Sequence, residues 1–367
     1  MDKYLFPHIT NAAFNMSGYT EETRCTVLEE YSKSNKEEVY AYAKERKILP
    51  FAAYLLNELG CDSEFWLPVV EKYEARNSLI IAQMDKAFQK LKDAGVKTVF
   101  VAQNFGAVLM GGKSLSLFAS GDADLCGDIS EKDLINRTFS ELGYQRKDRY
   151  CGNKLLSSDF SNDKILPDGF YLGIEYDTIS RLKLPNPIDM NDFVDWDHMM
   201  HYQDTSIVLP PVDAQTYICL VHISLHSFSR APDIRLYIDI QNCMNCHPDM
   251  NRVLEYAEHD RTVVRVVSAY LLTSKLFRLN WHDPAVEKAY AKYRSRVDHM
   301  ISRVYNEEKN ELIYEPGKVE TLKIECDYYD SASDKYGILL PDHNWMREVY
   351  GSSGVMAHLK HAVRVVL

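Results

Sequence analysis

Residues 121–125 read Gly-Asp-Ala-Asp-Leu, and this short run constrains the chain more tightly than any other. Asp122 and Asp124 alternate with the apolar Ala123 and Leu125, and on a β-strand residues two apart point the same way. The two carboxylates are therefore presented side by side at a strand end. Such a pair is unfavourable unless a cation sits between them. Oxygen ligands on a rigid strand suit Mg²⁺, which takes one or two carboxylates and fills its other positions with water and substrate phosphate. Mn²⁺ is the alternative ion. A third carboxylate on a neighbouring strand would complete a two-metal phosphoryl-transfer site. Glu175 is the candidate, because it lies on a strand expected over Leu172–Tyr176, and Asp177 shares its face. An Asp-x-Asp triplet can also be a surface turn. Here it follows Ser-Gly, has apolar neighbours and comes about twenty residues after a buried strand.

The surrounding pattern is helical, then mixed, then helical. Helical spacing is expected over Thr20–Lys33, Glu37–Arg46, Phe51–Leu59 and Phe65–Lys92, the last ended by Gly95. Lys97–Ala102 is β-branched and aromatic and reads as a buried strand. A short apolar segment follows at Phe105–Met110, then a Gly/Ser-rich loop at Gly111–Ser120, then a strand at Ala123–Cys126. Lys132–Leu142 reads as a helix and Tyr144–Asp177 as strands and turns. Beyond Asp213 the helices are expected over Ala214–Ser227, Arg235–Cys246, Asn251–Glu258, Thr262–Arg278 and Val286–Glu308. Glu315–Gly337 is polar and reads as loop or weak strand, and Trp345–Leu367 as helix with a break at Gly351–Gly354. The fold class is α+β, a small mixed sheet between two helical regions, with divisions at 1–92, 93–185 and 186–367.

A chain of 367 residues with 46% hydrophobic content is too long for one small core. Its net charge of −11 argues against a general nucleic-acid binder, which needs a basic face. No signal peptide and no span of about 18 apolar residues is visible, so the expected location is cytoplasmic and no membrane partner is implied. The eight scattered cysteines read as reduced thiols.

Several segments recur in a fixed order. Glu45–Leu56 reads Glu-Arg-Lys-Ile-Leu-Pro-Phe-Ala-Ala-Tyr-Leu-Leu, Gly121–Gly127 reads Gly-Asp-Ala-Asp-Leu-Cys-Gly, and Ile174–Thr178 reads Ile-Glu-Tyr-Asp-Thr. Leu209–His226 contains His222 and His226 at helical spacing, Ile234–Ile240 reads Ile-Arg-Leu-Tyr-Ile-Asp-Ile, and a closing segment runs from Leu340 to Val366. In this order, over nearly its whole length, the chain resembles a bacterial uncharacterised nucleotidyltransferase family of the polymerase-β-like nucleotidyltransferase superfamily.

The resemblance implies transfer of a nucleoside monophosphate from a nucleoside triphosphate, with ATP the expected donor, to a hydroxyl on a small-molecule or protein acceptor. It makes Asp122, Asp124 and Glu175 the catalytic set, with Mg²⁺ on the aspartates. The family's first strand ends in Lys-Gly, where this chain has Gln103-Asn104. Glutamine there can meet phosphate by hydrogen bonding but brings no charge. A rival alignment makes Gly111-Gly112, followed by Lys113, the phosphate-cradling turn. Gly121 precedes the acidic pair. Asp177 stands where the family has histidine, and Leu117-Phe118-Ala119 stands where the family has an arginine ahead of the acidic pair. These departures leave open a nucleotide-binding or interaction protein on the same scaffold.

His222 and His226, four apart, either contact phosphate or form a buried hydrogen-bonded pair. Arg235 and Asp239 share the same spacing among apolar neighbours. Asp239 could hold the arginine toward a triphosphate, or the two form a helix-surface ion pair. Cys243 and Cys246 with His247 match a haem-attachment string that nothing else supports. The same cysteines with His222 and His226 are a candidate structural zinc set.

Overall fold

The computed structural model describes residues 21–112, 114–176, 196–228, 233–308, 311–313, 318–334, 340–341 and 343–366. Lys113 and Asp177 thus lie outside the described residues, as does the expected boundary at 185.

The chain opens with helices α1 (Glu21–Ser32), α2 (Lys36–Glu45) and α3 (Leu49–Glu58). Helix α4 (Ser63–Asp93) follows and links two cores. Its first turns bury Trp66 and Val70 in a helical core, while Ile80, Met84, Phe88 and Leu91 pack under a sheet. Their three- and four-residue spacing keeps them on one stripe. Gly95, at φ +86°, lets the chain leave α4, with Val96 N–H donating to Leu91 O at 2.9 Å.

The sheet contains β1 (Phe100–Val101), β2 (Asp122–Cys126), β3 (Gln145–Cys151), β4 (Lys154–Ser161) and β5 (Tyr171–Glu175) in the order β1-β2-β5-β4-β3. Strand β2 runs antiparallel to β1 and parallel to β5, and β5–β4–β3 are antiparallel neighbours. Helix α5 (Gln103–Gly111) joins β1 to β2, and α6 (Lys132–Glu141) joins β2 to β3. One sheet face carries Ala123, Leu125, Phe160, Leu172 and Ile174, packed with side chains of α4 and α6. The opposite face carries the polar residues.

After the sheet come β6 (Met200–His201), β7 (Val208–Leu209) and helices α7 (Val212–Leu225), α8 (Asp233–Met244), α9 (Met250–His259), α10 (Val263–Leu276) and α11 (Pro284–Val304). Short strands β8 (Tyr305–Asn306) and β9 (Glu311–Leu312) pair next, followed by α12 (Lys318–Asp327), α13 (His343–Tyr350) and α14 (Val355–Val366). The N-terminal helices share one hydrophobic core with α7–α12. The chain is thus an α+β fold, as its pattern implied.

Three local expectations change. The first strand shrinks to Phe100–Val101, because the N–H groups of Lys97 and Thr98 donate to the Glu131 carboxylate instead of to a ladder. The loop expected from Gly111 starts one residue later, because the apolar run Phe105–Met110 is the body of α5, which packs against α7 and α8 and ends at Gly111. Within Glu315–Gly337, Lys318–Asp327 forms α12, whose Ile324 is buried in the helical core. Among the described residues no helix is long and apolar enough to cross a membrane.

Candidate active site

Strand alternation puts Asp122, Asp124 and Cys126 of β2 on one face, and the parallel register sets them beside Tyr171, Gly173 and Glu175 of β5. The three expected catalytic carboxylates are therefore brought to one surface of adjacent strands. The loop leading to Asp122 is held from α4. The buried Asn77 amide donates to the carbonyls of Leu115 and Phe118, and Arg76 Nη2 donates to Ser120 O at 2.8 Å. Ser120 Oγ donates to Asp122 Oδ1 at 2.5 Å and Tyr171 OH donates to Oδ2 at 2.9 Å, so both carboxylate oxygens are fixed.

Burial and the neighbouring Asp122 raise Asp124 to about 7, with Arg235 and Arg149 acting against the rise. Glu175 is pushed up to about 8 by burial and by Asp124, again opposed by Arg149. Taking carboxylates from water and crowding them disfavours their charged forms. The face thus gathers more negative charge than its surroundings compensate.

That property, with an all-oxygen donor set, fits a hard divalent cation. Among the described residues no three His, Cys, Asp or Glu side chains are close enough to hold a metal ion as they stand. A cation here would rest on Asp122 and Asp124 and take its remaining oxygens from ligand and water.

The amino end of α5 abuts β2, where Ala102 N–H donates to Asp124 O at 2.8 Å. Gln103 begins this helix with φ +49°, a region sparse for residues with a side chain. Gln215 Nε2 of α7 donates to its carbonyl at 2.7 Å. Gln103 and Asn104 are both buried. They lie between β1 and the body of α5. Gly111 and Gly112 lie elsewhere, at the carboxyl end of α5. A Cβ on Gly111 would fall 1.9 Å from Asn242 O of α8, and one on Gly112 would fall 2.6 Å from Val108 O. The small size of Gly111 serves close packing on α8, and that of Gly112 lets the chain turn away against Val108 of its own helix. Gly121 is exposed and makes no close side-chain approach.

Arg235, on the first turn of α8, is only 8% exposed, and its Nε has no hydrogen-bond partner. Asp239, one turn on, is also buried, is raised to about 7 by burial, and leaves Oδ2 without a partner. The two interact through space, but no ion pair forms within hydrogen-bonding range. The Arg235 guanidinium thus interacts through space with both Asp124 and Asp239 while its Nε makes no hydrogen bond.

His222 and His226 stack edge to face with ring centres 5.0 Å apart. Burial, then His226 and Arg235, hold His222 well below the usual histidine range, so it is neutral at pH 7. The cysteines go elsewhere. Cys243 Sγ contacts Cys219 Sγ at 3.7 Å, and Cys246 Sγ contacts Met110 O at 3.5 Å. The candidate zinc set of His222, His226, Cys243 and Cys246 is not assembled.

Arg149, Tyr171, Asp159 and Gly173 belong to this face but were not anticipated. Alternation on β3 and β4 was the available signal, but the register that brings both strands beside β5 cannot be read from either strand alone.

Compared with known proteins, the chain matches no family model, no curated protein and no solved structure. The functional assignment therefore rests on the chemistry of the carboxylate face.

Proposed function

We propose that this chain is a nucleotidyltransferase that moves a nucleoside monophosphate from a nucleoside triphosphate, ATP in the first instance, to an acceptor hydroxyl. The observation that carries this reading is one face shared by Asp122, Asp124 and Glu175, with the buried guanidinium of Arg235, whose Nε makes no hydrogen bond, acting on Asp124. Mg²⁺ or Mn²⁺ on Asp122 and Asp124 would supply charge neutralisation for the phosphates. Arg235 holds the phosphate chain and then the released pyrophosphate. The backbone at Gln103 and Asn104, at the amino end of α5, faces the same chain of phosphates. Glu175 takes the proton of the acceptor hydroxyl as its oxygen attacks the α-phosphorus and the bond to pyrophosphate breaks. Its proton affinity, raised to about 8, lies near the value suited to a general base.

A second reading is nucleotide binding without transfer. It is favoured by the uncharged Gln103 at the position where the resemblance calls for lysine. Calorimetric titration of each triphosphate, with and without Mg²⁺, separates these readings from a protein that binds no nucleotide. It is run on the wild type and on Asp122→Asn/Asp124→Asn. Mg²⁺-dependent binding lost in the double variant supports the site, and pyrophosphate release with added acceptors then separates transfer from binding alone. No binding of any triphosphate sinks both.

A further inference from the structure

The carboxylate face continues past Glu175 onto two strands that the proposed chemistry leaves unused. In register, Gly173 of β5 stands across from Asp159 of β4, and Asp159 from Lys147 of β3. Ser157 lies between Glu175 and Arg149 in the same way. Alternation puts Lys147 and Arg149 on the face that carries Asp122, Asp124 and Glu175.

Arg149 is built into this surface by a chain of contacts. Its Nε donates to Asp159 Oδ2 at 2.9 Å, and its Nη2 lies 2.9 Å from the same oxygen. Nη2 also donates to Tyr171 OH at 3.2 Å, and that hydroxyl donates to Asp122 Oδ2. Four strands thus each lend one group to a line running from the outer strand to the first aspartate. The side chain remains 54% exposed, and Nη1 makes no hydrogen bond to the described residues. Asp159 and Tyr171 take Nε and Nη2, and Nη1 is the group left over.

The two arginines sit on different sides. Arg235 belongs to α8, which packs against α5, the helix that joins β1 to β2. Arg149 belongs to β3, the outer strand at the opposite edge of the sheet. In-line displacement places the attacking and leaving oxygens on opposite sides of the phosphorus. With pyrophosphate leaving toward Arg235 and α5, the acceptor approaches over β5 from β4 and β3. Gly173 leaves the floor of that approach bare. A guanidinium whose Nη1 donors are unused, held in place by a carboxylate and a phenol, is suited to an oxyanion.

We propose that Arg149 binds an anionic group, phosphate or carboxylate, on the acceptor, whose hydroxyl then lies over Gly173 within reach of Glu175. This rests on the nucleotidyltransferase reading of the same face and narrows its acceptor to an acidic hydroxyl compound. Lys147 adds positive charge at the outer end of the path.

The test saturates the protein with Mg²⁺ and the non-transferable α,β-methylene analogue of ATP. Glycerol phosphate, glycerate and neutral glycerol are then titrated calorimetrically into the complex. The wild type should bind one or both anions and not glycerol. Arg149→Gln should lose at least about tenfold of that affinity, equivalent to about 1.4 kcal/mol, a clearly larger loss than it shows for the nucleotide analogue, which feels Arg149 only through Tyr171 and Asp122. Arg149→Lys, which keeps the charge but not the fork, should fall between. A phosphate preference over glycerate identifies a phosphorylated acceptor, and the reverse a carboxylic one. If Arg149→Gln weakens the nucleotide analogue instead, Arg149 serves the triphosphate and the proposal is overturned. It is overturned equally if the wild-type complex takes up neither anion. A wild type that fails to bind the analogue sinks the transferase reading itself. Titration of the anions into nucleotide-free protein then decides separately whether Arg149 holds an oxyanion, and Arg149-independent or absent binding rejects it. Unfolding temperatures of both variants confirm that this exposed side chain was not needed for folding.

Discussion

Asp124 stands in register with Gly173 on the neighbouring parallel strand, and the absent side chain there keeps the middle of the carboxylate face open. A Cβ added at residue 173 would lie 3.6 Å from Asp159 Oδ1 and 3.7 Å from Tyr171 Cε2, which is ordinary contact. The fold therefore tolerates alanine, while the ligand path loses its floor. Glycine within a strand costs roughly 0.5–1 kcal/mol relative to alanine. Gly173→Ala should unfold at or above the wild-type temperature. In complex with Mg²⁺ and the nucleotide analogue it should bind the acceptor anion about tenfold more weakly or worse, a change of about 1.4 kcal/mol. Thermal unfolding and calorimetry on one preparation read both. A variant that loses stability and binding together would assign the glycine to packing alone.

Arg235 yields the opposite pairing of effects. Burying the Arg235 charge with Nε unbonded is costly. Its return through space is limited, because burial raises both Asp124 and Asp239 to about 7 and so favours their neutral forms. An apolar side chain of similar length is therefore tolerated. Arg235→Met should melt within a few degrees of the wild type or above it, on the scale of about 1 kcal/mol. Its affinity for ATP and for inorganic tripolyphosphate should fall by about tenfold or more, again about 1.4 kcal/mol, with adenosine little affected. Equal weakening of adenosine and tripolyphosphate would show a general collapse of the site and not a phosphate contact.

How much of this was legible in the sequence depends on the range of the interaction. Asp122 and Asp124 could be placed on one face because strand alternation is local, and Glu175 could be nominated because its own strand was clear. The turn at Gly95 was legible for the same reason. Arg149 was not, since its role comes from β3 and β4 lying beside β5 rather than elsewhere in the sheet. Gly111 and Gly112 were expected in a loop because glycine punctuates chains. Only the approach of α8 reveals that they end a helix whose small residues admit a neighbour. The segment at Lys318–Asp327 has little amphipathic pattern, and its helix is stabilised by tertiary burial of Ile324.

Gly111 offers a direct test of those two roles. Its added Cβ would overlap Asn242 O at 1.9 Å, a backbone atom that cannot swing aside. Gly111→Ala should therefore destabilise the protein by about 1–3 kcal/mol or more, the usual scale of overpacking. Chemical denaturation would measure this. Triphosphate affinity of the fraction that remains folded should change little, because the residue sits at the carboxyl end of α5, away from Asp124. A stable variant that no longer binds triphosphate would restore the glycine turn as the phosphate cradle.

The carboxylates also set how stability depends on pH. Asp124 is raised to about 7 and Glu175 to about 8, against ordinary values of 3.8 and 4.5. Between those limits the folded protein binds more protons than the unfolded chain, so stability falls as pH rises. The contribution is full below about pH 4, where both states are protonated, and is lost progressively up to about 8. Asp239, raised to about 7 by burial, acts in the same direction. In the absence of divalent cations the unfolding temperature should drop from pH 5 to pH 8. Asp124→Asn/Glu175→Gln, which cannot ionise, should show a shallower decline and exceed the wild type at pH 8. Added Mg²⁺ with triphosphate should raise the wild-type temperature most at high pH, where the carboxylates are free of protons, and should do little for the double variant. A pH profile unchanged by the double substitution would mean that these two carboxyls do not carry the proton uptake, and that the charge of the face is compensated in some other way.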